Sequence, residues 1–187
     1  MNSDEIHIIS ELLQQEKVIL YPTDTVWGIG CDATNFEAVA KIYSIKQREE
    51  SKSLIILVDS FKMLSEYVVS IPDKAKEELE KSTRPTTIIY RNPIHLSANC
   101  IATDNTIAIR IVQDEFCKQL IKEFGKPIVS TSANISGDAT PKSFSEISKT
   151  ILHSVDYIVN LQQDKIAETS SRILRITENN EVVVIRE

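Results

Sequence analysis

Three polar segments carry the residues best suited to chemistry in this chain, and each interrupts an apolar run. The first is Tyr21-Pro22-Thr23-Asp24-Thr25-Val26-Trp27-Gly28-Ile29-Gly30-Cys31-Asp32. It leaves a strand-like run and leads to a helix, the region where open α/β folds bind ligands. Gly28 and Gly30 form a G-x-G without the third glycine of a dinucleotide fingerprint, so the segment also reads as a tight turn whose glycines let Trp27 pack. The second segment, Lys46-Gln47-Arg48-Glu49-Glu50-Ser51-Lys52-Ser53, places three cations within seven residues. Arg48 can fork onto phosphate oxygens while Lys46 and Lys52 act as point charges, a set suited to a triphosphate. A solvated helix end favoured by the helix dipole accounts for the same pattern. The third segment runs from Lys126 through Ser130-Thr131-Ser132-Ala133-Asn134-Ile135-Ser136-Gly137. Its hydroxyl and amide groups can orient a nucleotide or a small carboxylate, or can simply form a serine-rich turn. Arg110 sits inside the apolar run Thr106 to Ile111, where an unpaired charge is expensive to bury. An anionic ligand and a structural carboxylate are equally good partners for it.

These segments need elements to hold them. Ile6, Ile9, Leu12 and Leu13 have helical spacing behind an acidic first turn, which predicts a helix from Ser3 to near Lys17. Val18 to Tyr21 reads as a buried strand closed by Pro22, followed by a loop to Ala33. Asn35 caps a helix whose apolar face is Phe36, Val39, Ala40 and Tyr43 and whose end delivers Lys46 and Arg48. Leu54 to Val58 is too continuously apolar for a one-sided strand and implies a sheet covered on both faces. Helices follow over 61–68 and from Pro72 to Lys81, then strands over 86–91 and 106–112. Asp114 caps a further helix that stops at Gly125. A strand over 126–130, a Ser143/Glu146 capping box, and strands over 157–160, 172–176 and 182–186 complete the chain. Asn179-Asn180 suits a tight turn between the last two. Helices alternating with strands before a terminal hairpin indicate an α/β fold, a single-domain twisted mixed sheet flanked by helices; strand order is not legible.

Composition narrows the class. The 187 residues carry 21 Lys plus Arg against 27 Asp plus Glu, a net charge of −6, and 42% are hydrophobic. This is the balance of a globular protein large enough to bury its own core without disulfide or metal staples. No uncharged stretch approaches the roughly 20 residues of a membrane helix. Asp4 and Glu5 stand where a secretory signal would be basic. Cys31, Cys100 and Cys117 are odd in number and far apart, which suits reduced thiols in the cytoplasm, and neither they nor His7, His95 and His153 have metal-ligand spacing.

Taken together, Tyr21-Pro22-Thr23-Asp24-Thr25-Val26-Trp27-Gly28, Lys46-x-Arg48 with Lys52, Ile107-Ala108-Ile109-Arg110, and Ser130-Thr131-Ser132-Ala133-Asn134-Ile135-Ser136-Gly137 resemble the threonylcarbamoyl-AMP synthases, or YrdC-like domains, in order and spacing over nearly the whole chain. The sequence departs from that pattern at Glu49, at Ser53, over Ser82-Thr83-Arg84-Pro85-Thr86-Thr87 and at Thr169-Ser170-Ser171. The lost prolines and glycine alter loop rigidity and leave the cations and hydroxyls in place. The chain resembles the short form without an added C-terminal domain.

The resemblance implies synthesis of L-threonylcarbamoyladenylate and pyrophosphate from L-threonine, bicarbonate or CO2, and ATP. The product would pass to tRNA threonylcarbamoyl-transferase proteins, with at most a weak direct tRNA contact. Lys46 and Arg48 become the catalytic pair and, with Lys52, contact the ATP phosphates, with Mg2+ bridging phosphate oxygens rather than sitting in a protein cage. Thr106, Ser130, Ser132, Asn134 and Ser136 fall on the nucleotide side, and Thr23, Thr25, Arg110 and Ser170 around threonine and its carbamate. Two other readings compete, a non-catalytic RNA-binding module of the same fold and a carbamoyl-adenylate enzyme with another acceptor amine. The acidic net charge weakens the first, although a local positive cleft can coexist with an acidic exterior.

Overall fold

The computed structural model describes residues 3–49, 54–167 and 169–187. Its elements in chain order are α1 (Ser3–Gln14), β1 (Ile19–Tyr21), β2 (Gly28–Gly30), α2 (Phe36–Lys46), β3 (Ile55–Val58), α3 (Phe61–Tyr67), α4 (Asp73–Lys81), β4 (Thr86–Arg91), β5 (Thr106–Ile111), α5 (Glu115–Phe124), β6 (Ile128–Ser132), α6 (Lys149–Ser154), β7 (Tyr157–Ile158), β8 (Arg172–Ile176) and β9 (Val182–Arg186). The strands form one mixed sheet in the order β7-β1-β2-β6-β3-β5-β4-β8-β9. Three pairs are parallel, β1 with β7, β3 with β5 and β4 with β8. No described helix is long and apolar enough to cross a membrane.

Alternation along the strands sorts side chains onto two faces. Ile56, Ile88, Ile109, Val129 and Leu174 belong to the larger core, with Val39, Ile42 and Tyr43 of α2, Leu64 of α3 and Ile151 of α6. The opposite face buries Ile19, Tyr21, Leu57 and Ile128 against Ile9 and Leu13 of α1 and Phe116, Leu120 and Phe124 of α5. That helix pair reaches only the β7-to-β3 half. Beyond it, the residues pointing the same way are small or polar, Ala108 and Arg110 on β5 and Thr87 on β4, and the end of β6 inside that half adds Ser130 and Ser132. The sheet face left uncovered by α1 and α5 is the floor of a cleft.

Several local expectations are corrected. The segment from Pro22 to Ala33 is not all loop, because Gly28 to Gly30 pairs with both β1 and β6. A Cβ at Gly30 would lie 2.5 Å from the Val129 carbonyl and 2.6 Å from the Tyr21 ring, so the glycine permits this close strand approach. Trp27 packs elsewhere, on Phe144 with ring centroids 5.0 Å apart. Helix α2 turns a different stripe inward. Phe36 is 52% exposed and the buried residues are Ala38, Val39, Ile42, Tyr43 and Lys46. Two overlapping apolar stripes satisfied the helical period, and the one that also buries Lys46 is used. Helix α1 stops at Gln14, with Glu16 in the left-handed region at φ 60°. Pro72 caps α4 from outside rather than opening its first turn. The sixth strand runs two residues later than expected, through Thr131 and Ser132, since its polar residues face the cleft rather than a core. The Ser143/Glu146 capping box does not form. Glu146 accepts from the Lys142 amide at 2.8 Å, a short 3-10 turn spans Phe144–Glu146, and Ser148 caps α6 instead.

Candidate active-site cleft

The cleft encloses about 340 Å3. One wall is the turn after β1 with the β6 strand, which present Thr25, Gly28, Ser130 and Ser132; the opposite wall is Ser170 and Ser171 leading into β8, with Ile185 and Arg186 from β9. Arg48 enters from beyond α2, Thr140 from the loop after β6, and Ala108 and Arg110 lie on the floor. The feature therefore joins residues from every third of the chain.

Arg110 is 3% exposed, and its Nη2 lies 2.9 Å from Asp24 Oδ1, a carboxylate that is itself buried. Thus the structural partner anticipated for this charge exists. Nη2 also donates to Thr25 Oγ1 at 3.4 Å, while Nε has no acceptor despite its burial. An orphaned buried donor costs roughly 1 to 3 kcal/mol, which a ligand acceptor would recover. The threonines extend this network. Thr23 Oγ1 donates to the Val26 carbonyl at 2.7 Å and accepts the Thr25 amide at 3.1 Å, and the two hydroxyls lie 3.0 Å apart. With the Thr23 proton committed, Thr25 donates to Thr23 and keeps its lone pairs for Arg110. The turn from Thr23 to Thr25 is thereby locked behind the cleft wall.

Lys46 is 1% exposed, which removes the reading of a solvated helix end. Its ammonium donates to the carbonyls of Ser132 at 2.5 Å and Asn134 at 2.7 Å. Burial, and then the charge of Arg48, pull it down to about 8. The chain leaves α2 through Gln47, in the left-handed region at φ 48°, so that Arg48 turns back to the cleft. Arg48 is half-buried, and that burial depresses its pKa.

Of the residues singled out in the sequence, Thr25, Arg48, Arg110, Ser130, Ser132 and Ser170 line the cleft. Thr23, Lys46 and Asn134 stand behind its wall. The Asn134 side-chain Nδ2 donates to the Ile135 carbonyl at 3.1 Å and the Asp138 carbonyl at 2.8 Å, which braces the loop. Ser136 does not line the cleft; its amide donates to the Lys46 carbonyl at 2.8 Å. Thr106 shares the floor strand but opens onto an adjoining hollow of about 250 Å3 with Asn92, Asp104 and Arg175, its hydroxyl donating to Asp104 Oδ1 at 2.6 Å. Lys52 and Ser53 lie outside the described residues. Sequence reasoning missed Asp24, Thr140, Ser171 and Arg186. Arg186 carried a weaker signal than Arg110, a charge that ends an apolar strand rather than one inside it. Its Nε and Nη2 donate to the Ser171 carbonyl at 3.0 and 2.9 Å, and burial together with the charge of Arg110 lowers its pKa.

The three cysteines are buried and unpaired, and burial pushes the Cys100 thiol up to about 12. None is activated as a nucleophile. Among the described residues no group of three or more His, Cys, Asp or Glu could hold a metal ion. The cleft offers guanidinium groups and hydroxyls, which bind and neutralise anions.

Comparison with known proteins agrees with this chemistry. The chain is 39% identical over 155 residues, 79% of its length and 81% of the relative's, to the threonylcarbamoyl-AMP synthase of Pseudoalteromonas translucida (strain TAC 125). It is 33% identical over 192 residues, 100% of this chain and 89% of the other, to the putative threonylcarbamoyl-AMP synthase of Methanocaldococcus jannaschii. The crystal structure of P. abyssi Sua5 complexed with L-threonine superposes with a TM-score of 0.88 at 26% identity, covering all of this chain and 54% of that one. A family model described as "Telomere recombination" matches residues 11–187, and with these likenesses in fold and sequence the chain belongs to the Sua5/YciO/YrdC family.

Proposed function

We propose that this protein is an L-threonylcarbamoyladenylate synthase that uses L-threonine, bicarbonate or CO2, and ATP and releases pyrophosphate. The observation that carries the reading is the buried Arg110 with an unpartnered Nε at the floor of a cleft walled by hydroxyls and two further arginines. A guanidinium so placed takes a carboxylate in a two-point contact. Threonine, bound in the relative's crystal, is the amino acid that supplies it.

The threonine ammonium gives up one proton to solvent or bicarbonate, the free amine attacks carbon dioxide and releases a second proton to solvent as the carbamate forms, and a carbamate oxygen then attacks the α-phosphorus as the bond to pyrophosphate breaks. Neither step needs a covalent nucleophile, and both gain from positioning and charge neutralisation. Arg110 and Thr25 hold the amino-acid end. Arg48 and Arg186 face the developing and departing negative charge from opposite walls, and Ser130 and Ser132 orient the reacting groups between them. Lys46 adds positive potential from behind the wall and holds the β6 loop in shape. The donor set suits Mg2+ carried on triphosphate oxygens, where it would help neutralise the leaving pyrophosphate. Buried, unpaired cysteines support a cytoplasmic setting, where the labile adenylate would be handed to tRNA-modifying proteins.

The test is to incubate the purified protein with ATP, bicarbonate and each amino acid, following pyrophosphate and the adenylate by mass spectrometry. Joint dependence on threonine and bicarbonate, without tRNA, is expected. Equal ATP turnover without threonine, or a strict tRNA requirement, would overturn the reading. Tight, strongly salt-dependent RNA binding without adenylate formation would favour an RNA-binding module.

A further inference from the structure

Beside Arg110 the sheet carries a polar row that the reaction as described leaves unused. Thr87 stands directly opposite Arg110 in the β4–β5 register and is 0% exposed. Its hydroxyl lies 2.8 Å from Ser171 Oγ, itself on a residue only 1% exposed. Ser171 in turn receives Arg186, whose Nε and Nη2 share the Ser171 carbonyl and whose Nη2 reaches Ser171 Oγ at 3.2 Å. A guanidinium can only donate, so it occupies lone pairs of the Ser171 hydroxyl and turns the hydroxyl proton toward Thr87 Oγ1. Thr87 is thus the acceptor that keeps Ser171 facing Arg186.

Arg186 needs such a device. It projects from an edge strand whose Val183, Val184 and Ile185 are 41%, 44% and 51% exposed, and a register shift lies opposite in β8. It also shares the cleft with Arg110, whose like charge opposes its approach. A long side chain on an edge strand beside a like charge loses its orientation unless held at more than one point. The Ser171 carbonyl is one point and the oriented Ser171 hydroxyl is the other.

We propose that Thr87 is a positioning residue for nucleotide binding: through the Ser171 hydroxyl it holds the Arg186 guanidinium toward the phosphate-bearing end of the substrate cleft. This rests on the proposed synthase reading for the identity of the nucleotide. The link itself is a property of the free protein and acts on binding before any chemistry.

The experiment is a double-mutant cycle read by calorimetric binding of a non-hydrolysable ATP analogue, with threonine KM and kcat measured in parallel. Thr87→Val keeps the shape and removes the acceptor, and should weaken nucleotide binding roughly three- to ten-fold while leaving the threonine KM within about two-fold of the parent. Thr87→Ser restores the acceptor and should recover parental binding. In an Arg186→Ala background Thr87→Val should cost nothing further. Ser171→Ala breaks the same link from the other side and should reproduce the Thr87→Val pattern, so the inference stays open to refutation if the valine variant fails to fold. Parental binding in both Thr87→Val and Ser171→Ala, additive losses with Arg186→Ala, an equal rise in the threonine KM, failure of serine to rescue, or absence of nucleotide binding by the parent would each overturn it. A parent that binds the analogue but makes no adenylate overturns the synthase reading alone, since the cycle is read without turnover.

Discussion

The ammonium of Lys46 donates to the backbone carbonyl of Asn134 at 2.7 Å, tying the last residue of α2 to the serine-rich loop beyond β6. The Lys46 carbonyl completes the tie by accepting the Ser136 amide at 2.8 Å. The lysine is therefore part of the architecture as well as of the positive charge around the cleft.

Replacing Lys46 should cost stability and activity together, whereas replacing Arg48 should cost activity alone. Lys46→Met removes two charge-assisted bonds and leaves two carbonyls without that donor, a loss of about 2 to 4 kcal/mol. Arg48→Ala should leave thermal melting close to the parent and lower kcat/KM for ATP roughly ten- to a hundred-fold. Arg48→Lys should also be impaired, because a point charge cannot reproduce a planar two-point contact. Kinetics beside denaturant unfolding separates the two roles. Parental melting in Lys46→Met, or parental kinetics in Arg48→Ala, contradicts them.

The lowered pKa of Lys46 predicts opposite pH trends for binding and for stability. Burial holds the folded-state pKa at about 8, below the unfolded value of about 10.4. Between these values the unfolded chain carries the extra proton, so this group makes stability rise with pH across that window and contributes no slope below it. Nucleotide affinity should fall over the same rise through pH 8, as the positive charge behind the wall is lost. Both trends should vanish in Lys46→Met. Measuring analogue binding and unfolding from pH 6.5 to 10, in parent and variant, checks the pair.

Asp24 and Arg110 should prove inseparable. Removing one partner of a buried ion pair leaves an uncompensated charge and typically costs about 3 to 5 kcal/mol, so Asp24→Asn should unfold at markedly lower denaturant. In the parent, threonine at a hundred times its dissociation constant should add about 2.7 kcal/mol of stability. Arg110→Lys should lose most of that ligand-induced shift, since it lacks the orphaned Nε–H. Full threonine protection in Arg110→Lys would remove Arg110 from the amino-acid site.

Two nearby glycines should respond differently to one added methyl group. In Gly30→Ala the Cβ meets the Val129 carbonyl at 2.5 Å, a backbone atom in the centre of the sheet, so severe destabilisation or failure to fold is expected. In Gly28→Ala the nearest atom is Ser130 Oγ at 3.1 Å, a side chain on the cleft wall. That variant should fold and lose activity by displacing the serine hydroxyl. Comparable stability of the two variants in thermal melting contradicts this assignment.

The elements were largely legible in the sequence because their signals are local. Asn35, Asp114 and Gly125 act as the helix caps and stop that their chemistry predicts, with side chains accepting from Ala38 and Cys117 amides and Gly125 at φ 74°. The continuous run Leu54 to Val58 lies centrally between β5 and β6. The site's membership was half legible, because cations and hydroxyls in loops stand out against an apolar pattern. Arg186 and Ser171 did not stand out, since a charge at the end of a strand also reads as a solvated terminus.

What sequence alone determined is most of the elements, the central strand buried on both faces, the three polar segments and the family they resemble, all of which follow from residue types at short separations. Tertiary structure decided which α2 stripe turns inward, that Gly28 to Gly30 is a strand, and that Lys46 is buried rather than solvated. It also decided that α1 and α5 cover only half of one sheet face, so that Arg110, 85 residues from Thr25, becomes its neighbour at the floor of a cleft. Hydrophobic periodicity specifies which side of a strand is apolar, but not which helix will cover it. That depends on strand order, set by pairings between distant segments whose energies are realised only when the whole sheet assembles.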